Sequence, residues 1–516
     1  MSVGTAAQDV RRPVARGQPS RVRDLLGDRT VLAVGAITLL AAILRFYRIG
    51  HQGFWFDEGN TALLVHLAPG KMLGLIPQSE STPPLYYCLA WVWARLFGYG
   101  ETGLRSLSAL CGVLVVPVAY GAGSKLISRR AGLIGAALTA CSPLLIWYSQ
   151  EARSYEMLVL LSSVSLLAFA YALAAPTPRS VAGWVIASAL ALATHYYAIL
   201  AVVPEAAWLL WVHRSRRPVQ IGVGVVGLCG LALIPLAIGQ SGAGNASWIA
   251  TAPLGRRLGQ VVPQFAIGFD GPARSVLEPV AIALIVLAAV LVFVRSDRRA
   301  RRGALIAGGI ALAGLLLNLG LIAGGVDDLI TRNVLAIWMP AALFVAGGLA
   351  AARVGLVAAV VLCAIGVVTA LGVAFDRNLQ RPDWRVVATA LDRPAPAGSR
   401  AILIQHYRDL LPLSLYVPGM HVMGRAGATV SELDVVSFTA PASAGFCWWG
   451  SACNLWPSHT QASYPVPGFR TVSRRHELQF TIVRMVASHP VHVTPADVSR
   501  ALTATRLAND RLVIQR

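Results

Sequence analysis

The sequence predicts an α-helical polytopic membrane protein with about eleven spans and a small extracytoplasmic α/β domain at its C-terminal end. Three observations predict it. The 516 residues are 56% hydrophobic and only 13% charged, outside the range of soluble proteins. The apolar residues gather into runs close to the about 20 residues that a helix needs to cross a bilayer, and the mean hydropathy is +0.61. After residue 375 the runs shorten and their periodicity changes.

Taken in order, residues 1–30 hold Arg11, Arg12, Arg16, Arg21, Arg23 and Arg29 and read as an Arg-rich cytoplasmic tail. No short apolar region ending in a small-residue cleavage site stands apart from the first long apolar run, so no signal peptide is expected. Candidate spans are 31–47, 104–122, 131–148, 155–173, 181–193, 198–211, 221–238, 275–294, 304–323, 334–350 and 354–375, which make 31–375 one transmembrane domain. The segment 83–98 is apolar but short, aromatic and interrupted by Arg95. If it crossed, the basic loop "SKLISRR" would face away from the basic N-terminus. Lying flat, it keeps that loop cytoplasmic, so it reads as an interfacial helix within a first outer loop, 48–103.

With that choice the basic segments 124–130, 213–218 and 295–302 are cytoplasmic. The outer side of the cell membrane receives 48–103, 149–154, His195, 240–274, 325–333 and everything past 375. In the domain 376–516, "RPDWRVVATALDR" reads as an amphipathic helix, "AILIQ" as a buried strand and "FRTVSRRHELQFTIVRMV" as two strands.

The net charge of +20 would suggest nucleic acid in a soluble protein. Here the arginines lie between apolar runs, where charge sets topology, and no RNA or DNA motif accompanies them. Nucleic acid is therefore not an expected partner; membrane lipids are. Five cysteines, Cys88, Cys111, Cys141, Cys229 and Cys363, lie in apolar runs as small core residues. Cys447 and Cys453 flank "WWGSA" in a polar region and are a candidate disulfide if that region is extracytoplasmic.

The chemistry gathers at the outer ends of the spans. In "FWFDEGNT", Asp57 and Glu58 stand among aromatic rings just past the first span, ahead of Glu80 and "STPPLYY". A carboxylate there can act as general base on an acceptor hydroxyl or hold a divalent cation; the alternative is an aromatic anchor with solvated acids. In "YSQEARSYE", Glu151 and Arg153 stand at the mouth of two spans, where an ionisable residue is costly unless paired or used. Arg153 suits phosphate oxygens, although a Glu151–Arg153 surface pair reads equally well. Arg105 opens one outward-starting span, His195 ends another in "THYY", and Arg332 opens a third in "DDLITRNVLAIWMP".

These stretches, with "LRSLSALCG" and "PDWRVVATAL", resemble the polytopic GT-C glycosyltransferases of family 39 type, the superfamily of protein mannosyltransferases and aminoarabinose transferases. The resemblance covers most of 45–200 and the remainder in order of motifs. It implies an active site at the outer membrane surface, fed by a polyprenyl-phosphate sugar and serving a glycan, lipid or protein acceptor. It implies Asp57 as base for the acceptor, Glu58 as its supporting partner, Arg105 on the donor phosphate, and Glu151, Arg153 and Tyr155 as polar groups of the second outer loop. Family members often carry His or Lys before the Pro pair, where this chain has Thr82, with Glu80 close by. No pattern fixes a metal, so metal-free and divalent-cation mechanisms both stay open.

The implied reaction is direct displacement at the anomeric carbon, with Asp57 taking the acceptor's proton and Arg105, Arg153 and Arg332 neutralising the leaving phosphate. Mannose and arabinose are the expected sugars. The rival from another class is a transporter or flippase for a lipid-linked or anionic substrate; against it, the unusual residues cluster at one surface and not at the midplane.

Overall fold

The computed structural model describes residues 29–392, 399–404, 410–438, 466–501 and 511–515. Cys447 and Cys453 lie outside them. Helix α1 (Arg29–Phe46) is followed by three short helices, α2 (Phe56–His66), α3 (Pro69–Ser79) and α4 (Leu85–Phe97). The bundle continues through α5 (Glu101–Leu126), α6 (Arg129–Cys141), α7 (Pro143–Ser149), α8 (Tyr155–Ala174), α9 (Pro178–Thr194), α10 (Ile199–His213) and α11 (Arg217–Gly242). After the short α12 (Leu254–Gly259) and α13 (Val261–Ile267) come α14 (Arg274–Val294), α15 (Arg298–Ala323), α16 (Trp338–Ala350) and α17 (Arg353–Phe375).

Among the described residues nine helical segments are long and apolar enough to cross a membrane, or ten if the bent pair α6–α7 counts as one span. The remaining expected span is α9, a helix of 17 residues and therefore about 25 Å. The chain is a multi-pass membrane protein. Its exposed apolar side chains fit that setting: Ile221, Leu228, Val360 and Val294 stand 65% exposed or more on helices that nothing else covers. The segment Thr331–Ala350 is the centre of the bundle, with 72% of its apolar window buried, against 11% for α11 at the periphery.

Helix α4 has 13 residues, about 20 Å, and does not reach across a hydrocarbon core of about 30 Å. It ends at Gly98, whose φ of 92° turns the chain sharply into α5. The break between α6 and α7 has a local cause: the Ser142 hydroxyl accepts from the Leu145 amide, Pro143 occupies the first position of the new helix, and the two axes differ by 56°. That bend carries the loop 150–154 back towards the first loop.

The C-terminal unit is a six-stranded mixed sheet with helices α18 (Trp384–Leu391), α19 (Leu410–Tyr416) and α20 (Pro495–Ala501). Its strands are β1 (Ser399–Ile404), β2 (Met420–Val422), β3 (Ala428–Phe438), β4 (Phe469–Glu477), β5 (Phe480–Val493) and β6 (Arg511–Gln515). They stand in the order β2-β6-β1-β3-β5-β4. The pair β1–β3 is parallel, bridged by a crossover that includes α19; the other pairs are antiparallel. The expected helix, first strand and β4–β5 hairpin are present, while β2, β3, β6 and α19 add to what the pattern suggested.

One face of the sheet packs Ile402, Ile404, Val436, Phe480 and Ile482 against Trp384, Val387 and Leu413 of α18 and α19. Helix α19 then reaches the first loop. A Cβ on Gly59 of α2 would lie 2.8 Å from the Pro412 nitrogen, so only glycine lets the two helices approach this closely. The Phe54 amide donates to the Tyr416 hydroxyl at 2.6 Å, and that hydroxyl donates to Glu101 at 2.6 Å. Asp383 accepts from the Gly53 amide at 2.9 Å. Tyr416→Phe removes both Tyr416 bonds, and hydrogen exchange at the Phe54 amide should then quicken about 5- to 10-fold, the equivalent of about 1 kcal/mol; an unchanged rate would show that the contact does not hold the loop.

Candidate active site

Helix α2 opens with Trp55 extended, and Glu58 in its first turn reaches back to the Trp55 amide at 3.5 Å. Neighbours on a helix point about 100° apart, so Asp57 and Glu58 face different surroundings. Glu58 is fully buried. Its Oε1 accepts from Arg105 Nε at 2.7 Å and from the Ala152 amide at 2.8 Å, and its Oε2 accepts from Arg105 Nη2 at 2.6 Å.

Arg105 spends its other donors on backbone. Nη1 bonds the Ile49 and Gln52 carbonyls at 2.9 and 3.0 Å, and Nη2 the Gly53 carbonyl at 2.9 Å. All five N–H groups of a guanidinium are thereby used. Among the described residues Arg105 is thus engaged by protein groups and not by an open space, and with Glu58 it forms a clamp that fixes the first loop on α5 and on the second loop.

Asp57 faces the open side, 12% exposed, and its Oδ2 accepts from Arg332 Nη1 at 2.9 Å. Arg332 lies between the rings of Tyr155 and Trp248, at 5.7 and 5.5 Å from their centroids. Arg153 Nη1 donates to Glu80 at 2.8 Å and to the Asp57 carbonyl at 3.3 Å, while its Nε is buried with no partner among the described residues. Burial works against the charge on Arg153, and Glu80 beside it more than restores it, pushing the guanidinium well above its ordinary range. Glu80 also accepts from Asn60 at 2.6 Å.

Tyr155 links the two loops to His195, whose ring lies 5.9 Å away. Burial, with Arg153 and Arg332 adding to it, pushes the His195 imidazole down to about 3, so it is neutral at pH 7. Its Nδ1 accepts from the Tyr197 amide at 3.2 Å. Glu151 is 1% exposed, its Oε2 accepts from Arg381 at 2.7 Å, and its Oε1 has no partner among the described residues. Burial pushes this carboxyl up to about 7; Arg381 opposes the rise and Glu58 and Asp57 add to it.

The nine site residues named from the sequence, Asp57, Glu58, Glu80, Arg105, Glu151, Arg153, Tyr155, His195 and Arg332, thus form one network at one end of the bundle. The Glu151–Arg153 surface pair does not form: Glu151 takes Arg381 and Arg153 takes Glu80. Sequence reasoning missed Arg381, which leaves the last span, donates to the Trp147 carbonyl at 2.9 Å and covers the Trp147 ring at 4.0 Å. It also missed the walls: Trp55, Trp147 and Trp248, and the Arg257–Asp327 fork at 2.8 and 2.9 Å that ties the loop after α11 to the one before Arg332. Among the described residues no three His, Cys, Asp or Glu side chains gather as a metal seat, and the four carboxylates here are each engaged by a guanidinium.

The bundle holds an apolar cavity of about 510 Å³, walled by Leu138, Phe265, Phe293, Leu312, Trp338 and Phe344. Trp338 continues the helical run that begins at Arg332, and Pro143, also in its wall, opens the helix that leads to Glu151. The cavity is thus walled in part by the helices that lead to Arg332 and Glu151, and none of the site residues lines it.

Removing one partner of a buried ion pair strands the other charge, at a cost of about 3–5 kcal/mol. Arg105→Gln or Glu58→Gln should accordingly lower the thermal unfolding midpoint in detergent strongly. Arg332→Gln, at a partly exposed pair, should leave it within a few degrees. Equal effects would remove the distinction between clamp and open face.

Residues 81–238 match the family model described as dolichyl-phosphate-mannose-protein mannosyltransferase. No curated protein matches the chain. The crystal structure of ArnT from Cupriavidus metallidurans in the apo state is similar to it, with a TM-score of 0.53 at 16% identity over 90% of this chain and 98% of that one. The same protein bound to undecaprenyl phosphate gives 0.52 at 15% identity over 88% and 97%. At such identities the likeness is one of fold, and the resemblance read from the motifs is borne out at that level: the chain has the polytopic fold of the GT-C glycosyltransferases.

Proposed function

We propose that this protein is a membrane glycosyltransferase that moves a sugar from a polyprenyl-phosphate donor to an extracytoplasmic glycan, lipid or protein. The observation that carries the reading is the Asp57–Arg332 pair at 2.9 Å, set beside Arg153 in a bundle that also holds an apolar cavity of about 510 Å³. A lipid phosphate needs these things together: a greasy channel for its tail, cations at the end of that channel, and a carboxylate facing the side from which an acceptor arrives. The reported complex of ArnT with undecaprenyl phosphate supports the same donor class.

In this reading the lipid tail lies along Phe265, Phe344 and Trp338. The phosphate meets Arg153, whose Nε is buried with no partner among the described residues, and Arg332, whose Nη1 holds Asp57 in a partly exposed pair. The acceptor hydroxyl approaches Asp57. Its oxygen attacks the anomeric carbon, its proton passes to Asp57, and the C1–O bond to phosphate breaks with the electron pair staying on the lipid phosphate. Attack opposite the leaving group inverts the anomeric centre. The arginines stabilise the charge that grows on the leaving oxygen. Neutral His195 and the ring of Tyr155 line the same space and suit sugar hydroxyls.

Basic segments at the other end of the bundle, around Arg129 and Arg130, 213–218 and 295–302, favour a cytoplasmic N-terminus and an outward-facing site in the cell membrane. Mannose and arabinose are the sugars we favour. For mannose the support is the description of the family model matched by 81–238.

The test is transfer in proteoliposomes from radiolabelled decaprenyl-phosphate mannose and arabinose. Asp57→Asn should lower turnover about 100- to 10,000-fold while expression and folding hold. Arg153→Gln and Arg332→Gln should each raise the donor KM. Transfer undiminished in Asp57→Asn would reject the base, and absence of transfer with every donor by folded protein would favour the transporter reading.

A further inference from the structure

Eight ionisable side chains meet at the site as four ion pairs: Glu58 with Arg105 at 2.6 Å, Glu80 with Arg153 at 2.8 Å, Asp57 with Arg332 at 2.9 Å and Glu151 with Arg381 at 2.7 Å. With Glu151 ionised, the charges of these four pairs cancel one for one, and neutral His195 adds none. A polyprenyl-phosphate sugar is a phosphodiester and carries one negative charge at every pH near neutrality. Its entry leaves the cluster with an uncompensated charge in a water-poor space, which is costly unless a carboxylate takes up a proton.

The four carboxylates are not equally suited to that. Glu58 accepts from two nitrogens of Arg105 and from the Ala152 and Trp55 amides. Glu80 accepts from both Arg153 and Asn60. Asp57 is partly exposed, and as the base it must stay ionised. Glu151 differs: one oxygen has Arg381, the other is buried with no donor opposite it among the described residues.

The charged and titratable groups that act on Glu151 come from every side: Arg381 from the chain leaving α17, Asp57 and Glu58 from α2, Arg153 from its own loop, Tyr148 from α7, Tyr155 from α8, and Arg332. The sum of burial and these neighbours leaves Glu151 poised near neutrality, at about 7.

We infer that the anionic phosphodiester enters this charge-balanced cluster together with one proton from solvent, and that Glu151 takes it up. Once neutral, Glu151 no longer consumes the charge of Arg381, which becomes a third guanidinium for the phosphate. The balance is restored: the phosphate charge faces Arg381 and the Glu151 carboxyl is uncharged. The proton stays on Glu151 through displacement at C1 and returns to solvent when the lipid phosphate leaves. The inference rests on the donor class proposed above and adds Arg381 and Glu151 to the residues that read the phosphate.

The experiment is calorimetric titration of the full chain in detergent with farnesyl methyl phosphate, a lipid phosphodiester that does not titrate near neutrality. Two buffers of different ionisation enthalpy are used at each pH, so that proton uptake is read directly. With Glu151 at about 7, binding at pH 8 should take up close to one proton, and affinity should be about tenfold weaker at pH 8 than at pH 6.

Glu151→Gln should bind with no uptake and no pH slope, at pH 8 at least as tightly as the wild type at pH 6. Wild-type binding without uptake overturns the inference and leaves the donor class standing, as does uptake that persists in Glu151→Gln. If no variant binds at any pH, the donor reading falls and the inference with it. Should Glu151→Gln fail to fold, the wild-type pH series decides alone.

Discussion

The site depends on the buried fork between Glu58 and Arg105. Taking both charges out of water is expensive, and a lone pair of this kind often does no better than two apolar side chains. Here every remaining polar group is used: Arg105 spends its other N–H groups on the carbonyls of Ile49, Gln52 and Gly53, and Glu58 takes the Ala152 amide as well. One contact therefore joins α2, the turn after α1, α5 and the loop after α7. Because residues 57 and 58 diverge by about 100° on a helix, anchoring Glu58 in the wall aims Asp57 at the open space. The acidic doublet in the first loop is a division of labour between a fixed acid and an available one.

A second constraint is electrical neutrality. Near a hydrocarbon layer an unpaired charge is costly, and the four carboxylates here each have an arginine. Arginine suits this better than lysine: its fork bonds a carboxylate on one edge and leaves its faces to aromatic rings, as Arg332 does between Tyr155 and Trp248 and Arg381 over Trp147. Such a cluster is stable when empty and receptive to an anion when one pair can be released.

Much of this was legible in the chain because the signals are local. Apolar runs mark the spans, basic loops group their ends into two sets, and the polar residues left at the ends away from those loops are the ones that meet: Asp57, Glu80, Glu151, Arg153, His195 and Arg332. What local pattern could not supply was the difference between Arg105 and Arg153. Both open or precede an outer span end, and only the folded partners reveal that one is saturated and the other has an Nε to spare. Helix α9, with 17 residues, shows the same limit in another form: hydropathy marks a span, while its length depends on where capping by Thr177 begins and His195 ends it. Arg381 carried no such signal: it is one of three arginines, with Arg377 and Arg385, in the stretch that follows the last span, and only its folded partners set it apart.

The C-terminal domain bears on the chemistry through the same logic of satisfied groups. Gly53 and Phe54, the two residues before Trp55, give their amides to Asp383 and Tyr416, and Gly59 lies against Pro412. The first turn of α2 is thereby held from below by Arg105 and from above by α19 and the chain leading into α18. A helix turn gripped from one side only would keep Glu58 in place and let Asp57 swing, since the two side chains share a backbone but not a wall. Gripped from both sides, the backbone of Asp57 has no freedom that is not also a displacement of the C-terminal domain. In the proposed reaction, an acceptor that leans on that domain would act on the same backbone that carries Asp57.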